Sequence, residues 1–88
     1  MGPELRLRGG GLDWREVNGR IVALLPGSSG HVVVNSAGAV LWRALADGAD
    51  REHLVDTLVD AFAIDEQRAE RDVDAFLAEL RSRGLLAT

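Results

Sequence analysis

The 88-residue sequence contains no cysteine and no lysine. The missing thiols exclude a disulfide framework, a cysteine-based zinc cluster and a thiol nucleophile. The missing lysine removes the phosphate-gripping residue of a P-loop, so Ser28-Ser29 between glycines reads as an ordinary loop. Histidine is nearly absent. His31 and His53 fall on different predicted elements and match no metal-ligand or catalytic spacing, so each reads as a polar surface residue. No cofactor or metal is expected. No apolar run is long enough to span a bilayer, and the N-terminus MGPELRLRGGG lacks a signal peptide's apolar core; a cytoplasmic protein with no membrane partner is the expectation. Positive charge is also short. Ten arginines against fourteen carboxylates leave a formal net charge of −4. That argues against a general nucleic-acid binder, whose affinity depends on a basic surface.

What remains is the composition of a small folded domain, 47% hydrophobic and 27% charged. A chain of this size buries only about 60–65% of its unfolded surface, which makes an interface with a partner or a second copy a reasonable expectation. Residues 1–11 read as a flexible or weakly paired lead-in. Leu5 and Leu7 alternate with Arg6 and Arg8, as in a short edge strand, and Gly9–Gly11 breaks any regular element. Residues 12–88 form the domain.

Asn18-Gly19 is the strongest local signal. It suits a two-residue type I′ turn, where both positions need φ > 0. The turn sets a register with Val17 opposite Arg20, Arg15 opposite Val22, Trp14 opposite Ala23 and Leu12 opposite Leu25. Leu12, Trp14, Ile21, Ala23 and Leu25 then share the face assigned to the core. Residues 26–30 form a loop. His31–Val34 follows as a third, β-branched strand, whose open edge offers unpaired backbone groups to an extended peptide.

Three helices come next. The first, about residues 37–46, is capped by Asn35 or Ser36, turns Val40, Leu41, Ala44 and Leu45 inward, and ends at Gly48. Trp42 lies off that stripe, with core or semi-core packing the better reading. The second, about residues 51–61, is capped by Asp50 and carries Leu54, Val55, Leu58, Val59 and Phe62 on one face. The third begins at Asp65, carries Ala69, Val73, Phe76, Leu77 and Leu80 in one stripe, and stops at Gly84. Asp72 borders this stripe, where it offers a charged acceptor at the rim of a groove. The other charges of the helix are interleaved as on a solvated face. Strands followed by helices indicate an α+β fold, with a three-stranded antiparallel sheet covered on one side by three helices.

The run Asn35-Ser36-Ala37-Gly38-Ala39-Val40-Leu41-Trp42, followed by Leu45, Gly48, Leu54, Leu58 and Phe62, resembles the PqqD family. Ala69, Asp72-Val73, Phe76-Leu77, Leu80 and Gly84-Leu85-Leu86 continue the resemblance, and residues 14–24 look like the family's first hairpin. It implies a winged-helix-like domain, the RiPP recognition element, which binds the leader segment of a ribosomally made, post-translationally modified peptide. Such a domain is not an enzyme. It serves a partner enzyme, either a radical-SAM enzyme or the leader peptidase of a lasso-peptide pathway. The resemblance places the leader as a strand beside His31, Val32, Val33 and Val34. Its alternate side chains would enter a trough toward Val73, Phe76 and Leu80, with Asp72 at the rim. His31 and Ser36 depart from the residues common there, an aromatic and a proline. Two other readings compete: a winged-helix DNA-binding regulator, disfavoured by the acid-rich helices, and an assembly subunit that homodimerises through the sheet edge. The expected state is a monomer or weak homodimer.

Overall fold

The computed structural model describes residues 3–8, 13–24, 30–34 and 36–87. Asn18 and Gly19 take φ of 53° and 78°, the left-handed conformations a type I′ turn requires. They join β1 (Asp13–Val17) to β2 (Arg20–Leu24), with Trp14 opposite Ala23 and Val17 opposite Arg20. The expected Leu12–Leu25 pair, the 26–29 loop and Asn35 lie outside the described residues. β3 (His31–Val34) pairs antiparallel with β2, with Ile21 opposite Val34 and Ala23 opposite Val32. The sheet order is β1-β2-β3, so among the described residues β3 pairs on one side only.

The three helices follow: α1 (Ala37–Asp47), α2 (Arg51–Phe62) and α3 (Glu66–Ser82). The chain is thus an α+β fold. Ile21 and Ala23 are buried on the sheet's inner face, whereas Val17, Leu24 and Val33 on the outer face stay exposed. The helices therefore cover one face only.

The helix ends explain themselves chemically. Asp50 Oδ1 accepts the His53 N–H at 2.8 Å, and Asp65 Oδ1 accepts the Arg68 N–H at 2.7 Å, each satisfying a donor the helix cannot. α3 ends in a Schellman motif. Gly84 sits at φ 70°, the Leu85 N–H donates to Leu80 O at 2.9 Å, and the Gly84 N–H donates to Arg81 O at 3.0 Å. Leu80 and Leu85, the apolar pair of that motif, are both buried. Ser36 behaves differently from the expected cap. It precedes α1 at φ 49° and makes no side-chain cap bond, because a capping side chain needs an extended backbone at that position.

Two faces also differ from the sequence reading. In α1, Ala39 is buried with Leu41 and Leu45, while Val40 and Ala44 are only half-buried; Trp42 is fully buried, in keeping with its expected core packing. α1 lies between the sheet and α2, so it is covered on more than one side and a single-stripe rule underestimates its burial. Trp42 meets Trp14 of β1 edge to face, with ring centroids 6.0 Å apart. In α2, Phe62 is 41% exposed rather than in the core. It is the last helical residue, and Ala63 turns the chain at φ 54° beyond the core's edge.

Residues 3–8 pair with the helical side of the domain. The Leu5 N–H donates to Ala49 O at 2.8 Å and the Ala49 N–H returns to Leu5 O at 3.0 Å. The Arg8 N–H donates to Leu85 O at 2.7 Å, and the Ala87 N–H to Arg6 O at 2.9 Å. Leu5 is buried in the core. This segment ties the α1–α2 connection to the C-terminal tail.

Ion pairs link the layers. Arg43 reaches Glu16 at 2.9 Å, joining α1 to β1, and Arg51 holds Asp74 through two hydrogen bonds of 2.7 and 2.9 Å, joining α2 to α3. The hydrogen bond from Arg51 keeps the Asp74 carboxyl below its ordinary pKa. Its contribution is therefore present at neutral pH and lost as acid protonates Asp74, and it is small because both side chains are solvated. No described helix is long and apolar enough to cross a membrane.

Candidate functional site

The site begins with the backbone of β3. A two-residue turn makes Val17 and Arg20 a hydrogen-bonded pair, and such pairs alternate along an antiparallel ladder. Arg20, Val22 and Leu24 therefore direct their backbone groups toward β1, while Ile21 and Ala23 direct theirs toward β3. Their partners Val34 and Val32 turn inward to meet them. His31 and Val33 are left with N–H and C=O groups aimed away from β2, along an edge that no other strand pairs with among the described residues.

The same alternation separates the side chains. Val32 and Val34 lie on the sheet's inner face, half-buried and packed against the core. His31 and Val33 lie on the outer face, exposed. A strand laid on β3 would thus meet His31 and Val33 through backbone, and Val32 and Val34 through side chains.

The helical wall is α3, and Gly38 of α1 sets its distance from β3. A Cβ on Gly38 would lie 3.3 Å from Val34 Cβ and 3.4 Å from Phe76 Cε1. The missing side chain lets β3 and α3 flank the first turn of α1 closely. A glycine costs a helix roughly 1 kcal/mol relative to alanine, so its presence at this position was a readable sign of close packing. Phe76 is half-buried and offers part of its ring to solvent. Val73 and Leu80 do not: they are 0% and 1% exposed. Both belong to the core cluster, so of the stripe Ala69, Val73, Phe76, Leu77 and Leu80 only Phe76 is partly exposed.

Asp72 is exposed and stands 4.0 Å from Arg68, its neighbour one turn back. With Ser36, Ala37, Phe62, Ile64 and Arg68 it lines a concavity of about 340 Å³. This recess lies at the start of α1, just past the C-terminal end of β3. Phe62 and Ile64, expected as core and connector, help to form it. The helical pattern of α2 concealed that role, because Phe62 continues the apolar spacing past the point where the core stops.

The structure therefore brings Val32, Val34, Phe76 and Asp72 to one side of the domain beside the open backbone of His31 and Val33. The arrangement can hold an extended chain. Among the described residues no group of three or more His, Cys, Asp or Glu side chains is placed to bind a metal ion.

Comparison with known proteins gives a consistent placement. Residues 20–86 match the family model described as coenzyme PQQ synthesis protein D, PqqD. No curated protein matches the chain. Two solved structures share the fold. One is TbiB1 in complex with the TbiA(β) leader peptide, 22% identical, with a TM-score of 0.84 over 93% of this chain and 94% of that one. The other is a lasso peptide synthetase B1 complexed with the leader peptide, 23% identical, with a TM-score of 0.82 over 96% of this chain and 98% of that one.

Proposed function

The chain belongs to the PqqD family, and on that premise we propose that it binds, without catalysing a reaction, the leader segment of a ribosomally made precursor peptide. The leader adds as a strand to β3, and the domain presents it to a modifying enzyme. The observation that carries this reading is the open edge at His31 and Val33, backed by apolar side chains on one side. Strand addition needs those two things, backbone groups for affinity and side-chain pockets for selectivity. Both fold neighbours were solved with a leader peptide, which supports the same reading.

Each residue then has a distinct part. His31 and Val33 exchange backbone hydrogen bonds with the leader. Val32, Val34 and Phe76 receive its inward side chains. Val73 and Leu80 support Phe76 from below, and Asp72 accepts hydrogen bonds where the groove ends. A leader that is disordered when free gives up ordering entropy on binding, so the affinity falls in the sub-micromolar to micromolar range, about −8 to −10 kcal/mol. The lasso synthetase neighbour favours a leader peptidase as the receiving enzyme over a radical-SAM enzyme. Localisation in the cytoplasm, where ribosomal precursors are made, fits this role.

Val33→Pro tests it. The change deletes an outward N–H while leaving the inward bonds of Val32 and Val34, and proline is tolerated on edge strands. Leader affinity measured by calorimetry falls about tenfold, the value of roughly one lost hydrogen bond of about 1.4 kcal/mol, with the circular dichroism spectrum unchanged. Equal affinities of variant and wild type would rule out β3 as the receiving strand.

The DNA-binding alternative is weaker. The candidate groove carries Asp72 and borders an acid-rich helix, whereas a phosphate-binding helix needs the opposite charge.

A further inference from the structure

The sheet's outer face takes no part in the groove, and its chemistry differs from the rest of the domain. Reading across the strands, one row carries Val17 and Arg20, the next Arg15, Val22 and Val33, and the last Asp13, Leu24 and His31. Val17, Leu24 and Val33 are 44%, 51% and 50% exposed. Val17, Asn18, Arg20, Val22 and Val33 surround a recess of about 330 Å³, room for a large apolar side chain.

Charge singles this face out further. Except for Glu4, Asp13 and Glu16, every carboxylate of the chain lies from Asp47 onward, in or beside the helices. Arg6, Arg43, Arg51, Arg68 and Arg83 are each paired with a carboxylate, whereas Arg8, Arg71 and Arg81 form no ion pair among the described residues and lie off the sheet, the last two among the carboxylates of α3. Arg15 and Arg20 are exposed and pair with no carboxylate among the described residues. A domain of net charge −4 thus presents two arginines against one carboxylate, Asp13, beside exposed valine and leucine on the one layer its helices leave bare.

We infer that this outer face is a second interaction surface, and that its occupant is an acidic, apolar patch on the enzyme that receives the peptide. The inference rests on the function proposed above for the identity of the partner. Opposite charges steer encounter and fix orientation, while the apolar recess supplies buried area. A second copy of this chain fits poorly, because a two-fold contact through this face brings four arginines together against only two carboxylates, one Asp13 from each copy. Val33 sits on β3, so the face runs up to the edge that takes the leader. An added leader strand would widen it by one strand, and the enzyme would then touch domain and substrate together.

The test uses the full chain, its leader peptide and the modifying enzyme encoded alongside it. Wild type and an Arg15→Glu/Arg20→Glu variant are titrated separately with leader and with enzyme at two salt concentrations; Leu24→Asp is a second variant that removes apolar area instead of charge. The expected result is leader affinity within twofold of wild type for both variants, enzyme affinity at least tenfold weaker for both, and a salt dependence of enzyme binding that disappears in the arginine variant. Unchanged enzyme affinity overturns the inference, as does a wild type that binds leader but not enzyme, or one that uses these arginines to retain DNA or to self-associate. A wild type that fails to bind leader instead counts against the function proposed above, while its enzyme titration still judges the outer face.

Discussion

Trp42→Ala lowers the unfolding free energy by about 3–5 kcal/mol, the range for truncating a large aromatic in a packed core. Trp42 is fully buried, and it is the largest of the fully buried side chains. It sits in α1, the helix between the sheet and α2, and its ring meets Trp14 edge to face at 72°. Truncation leaves a cavity that these neighbours cannot close without moving Trp14, Leu41 or Leu45. Domains of this size are held by only about 5–15 kcal/mol, so the variant loses a large fraction of its stability. Trp42→Phe separates size from chemistry. The indole N–H has no acceptor among the described residues, so phenylalanine forfeits area but no hydrogen bond to the protein. Its cost in urea denaturation falls well below half that of alanine. Similar losses for both variants would mean that the indole, and not the packed volume, is what the core requires.

Leu5→Asp lowers stability by about 2–4 kcal/mol, the scale of losing a buried leucine. Leu5 is 7% exposed and belongs to the core cluster, although it is only the fifth residue of the sequence. A carboxylate cannot remain in that position unpaired, so the segment undocks instead. The loss then has a ceiling, namely the free energy that holds residues 3–8 against Ala49 and Leu85. Deleting residues 1–8 removes that same contribution, and the deletion and the point variant give equal losses in parallel denaturation experiments. The docked segment lies along the side of α3 that carries Asp74, Leu77 and Arg81, with Pro3 and Leu5 closing a cleft there. Phe76 and Asp72 face elsewhere, so leader affinity of the folded variants stays at the wild-type value. A deletion that costs nothing would show the pairing of Leu5 with Ala49 to be incidental.

These two cases mark where the sequence was informative and where it was not. The Asn18-Gly19 turn marked the β1–β2 register, but the division of β3 into inward Val32 and Val34 and outward His31 and Val33 depends on its own register against β2, which no local signal sets. Asp50, Asp65 and Gly84 marked helix ends because each supplies a local chemical need, a capping oxygen or a positive φ. Such signals act over three or four residues and survive folding. The burial of Ala39, the docking of Leu5 and the exposure of Phe62 depend on what lies across space. A helix covered from two sides buries residues off its main stripe, and a short alternating segment can pair with a loop as readily as with a sheet. Phe62 keeps the spacing of a core residue but falls one turn beyond the core. On α3, Asp72 and Phe76 were legible as the border and a member of one apolar stripe, and they are exposed and half-buried respectively. The full burial of Val73 and Leu80 was not legible, since a stripe on a helix does not tell which of its members the neighbouring layers will cover.

The central claim is that an incoming peptide bonds to the outward backbone of β3, and amide hydrogen exchange reads that directly. Without peptide, the amides of His31 and Val33 exchange quickly, whereas those of Val32 and Val34, bonded to β2, are protected. With saturating leader peptide, exchange at His31 and Val33 slows by about a hundredfold or more, as local opening comes to require release of the peptide. Unchanged exchange at those two amides, in a sample where calorimetry reports bound leader, would contradict the account.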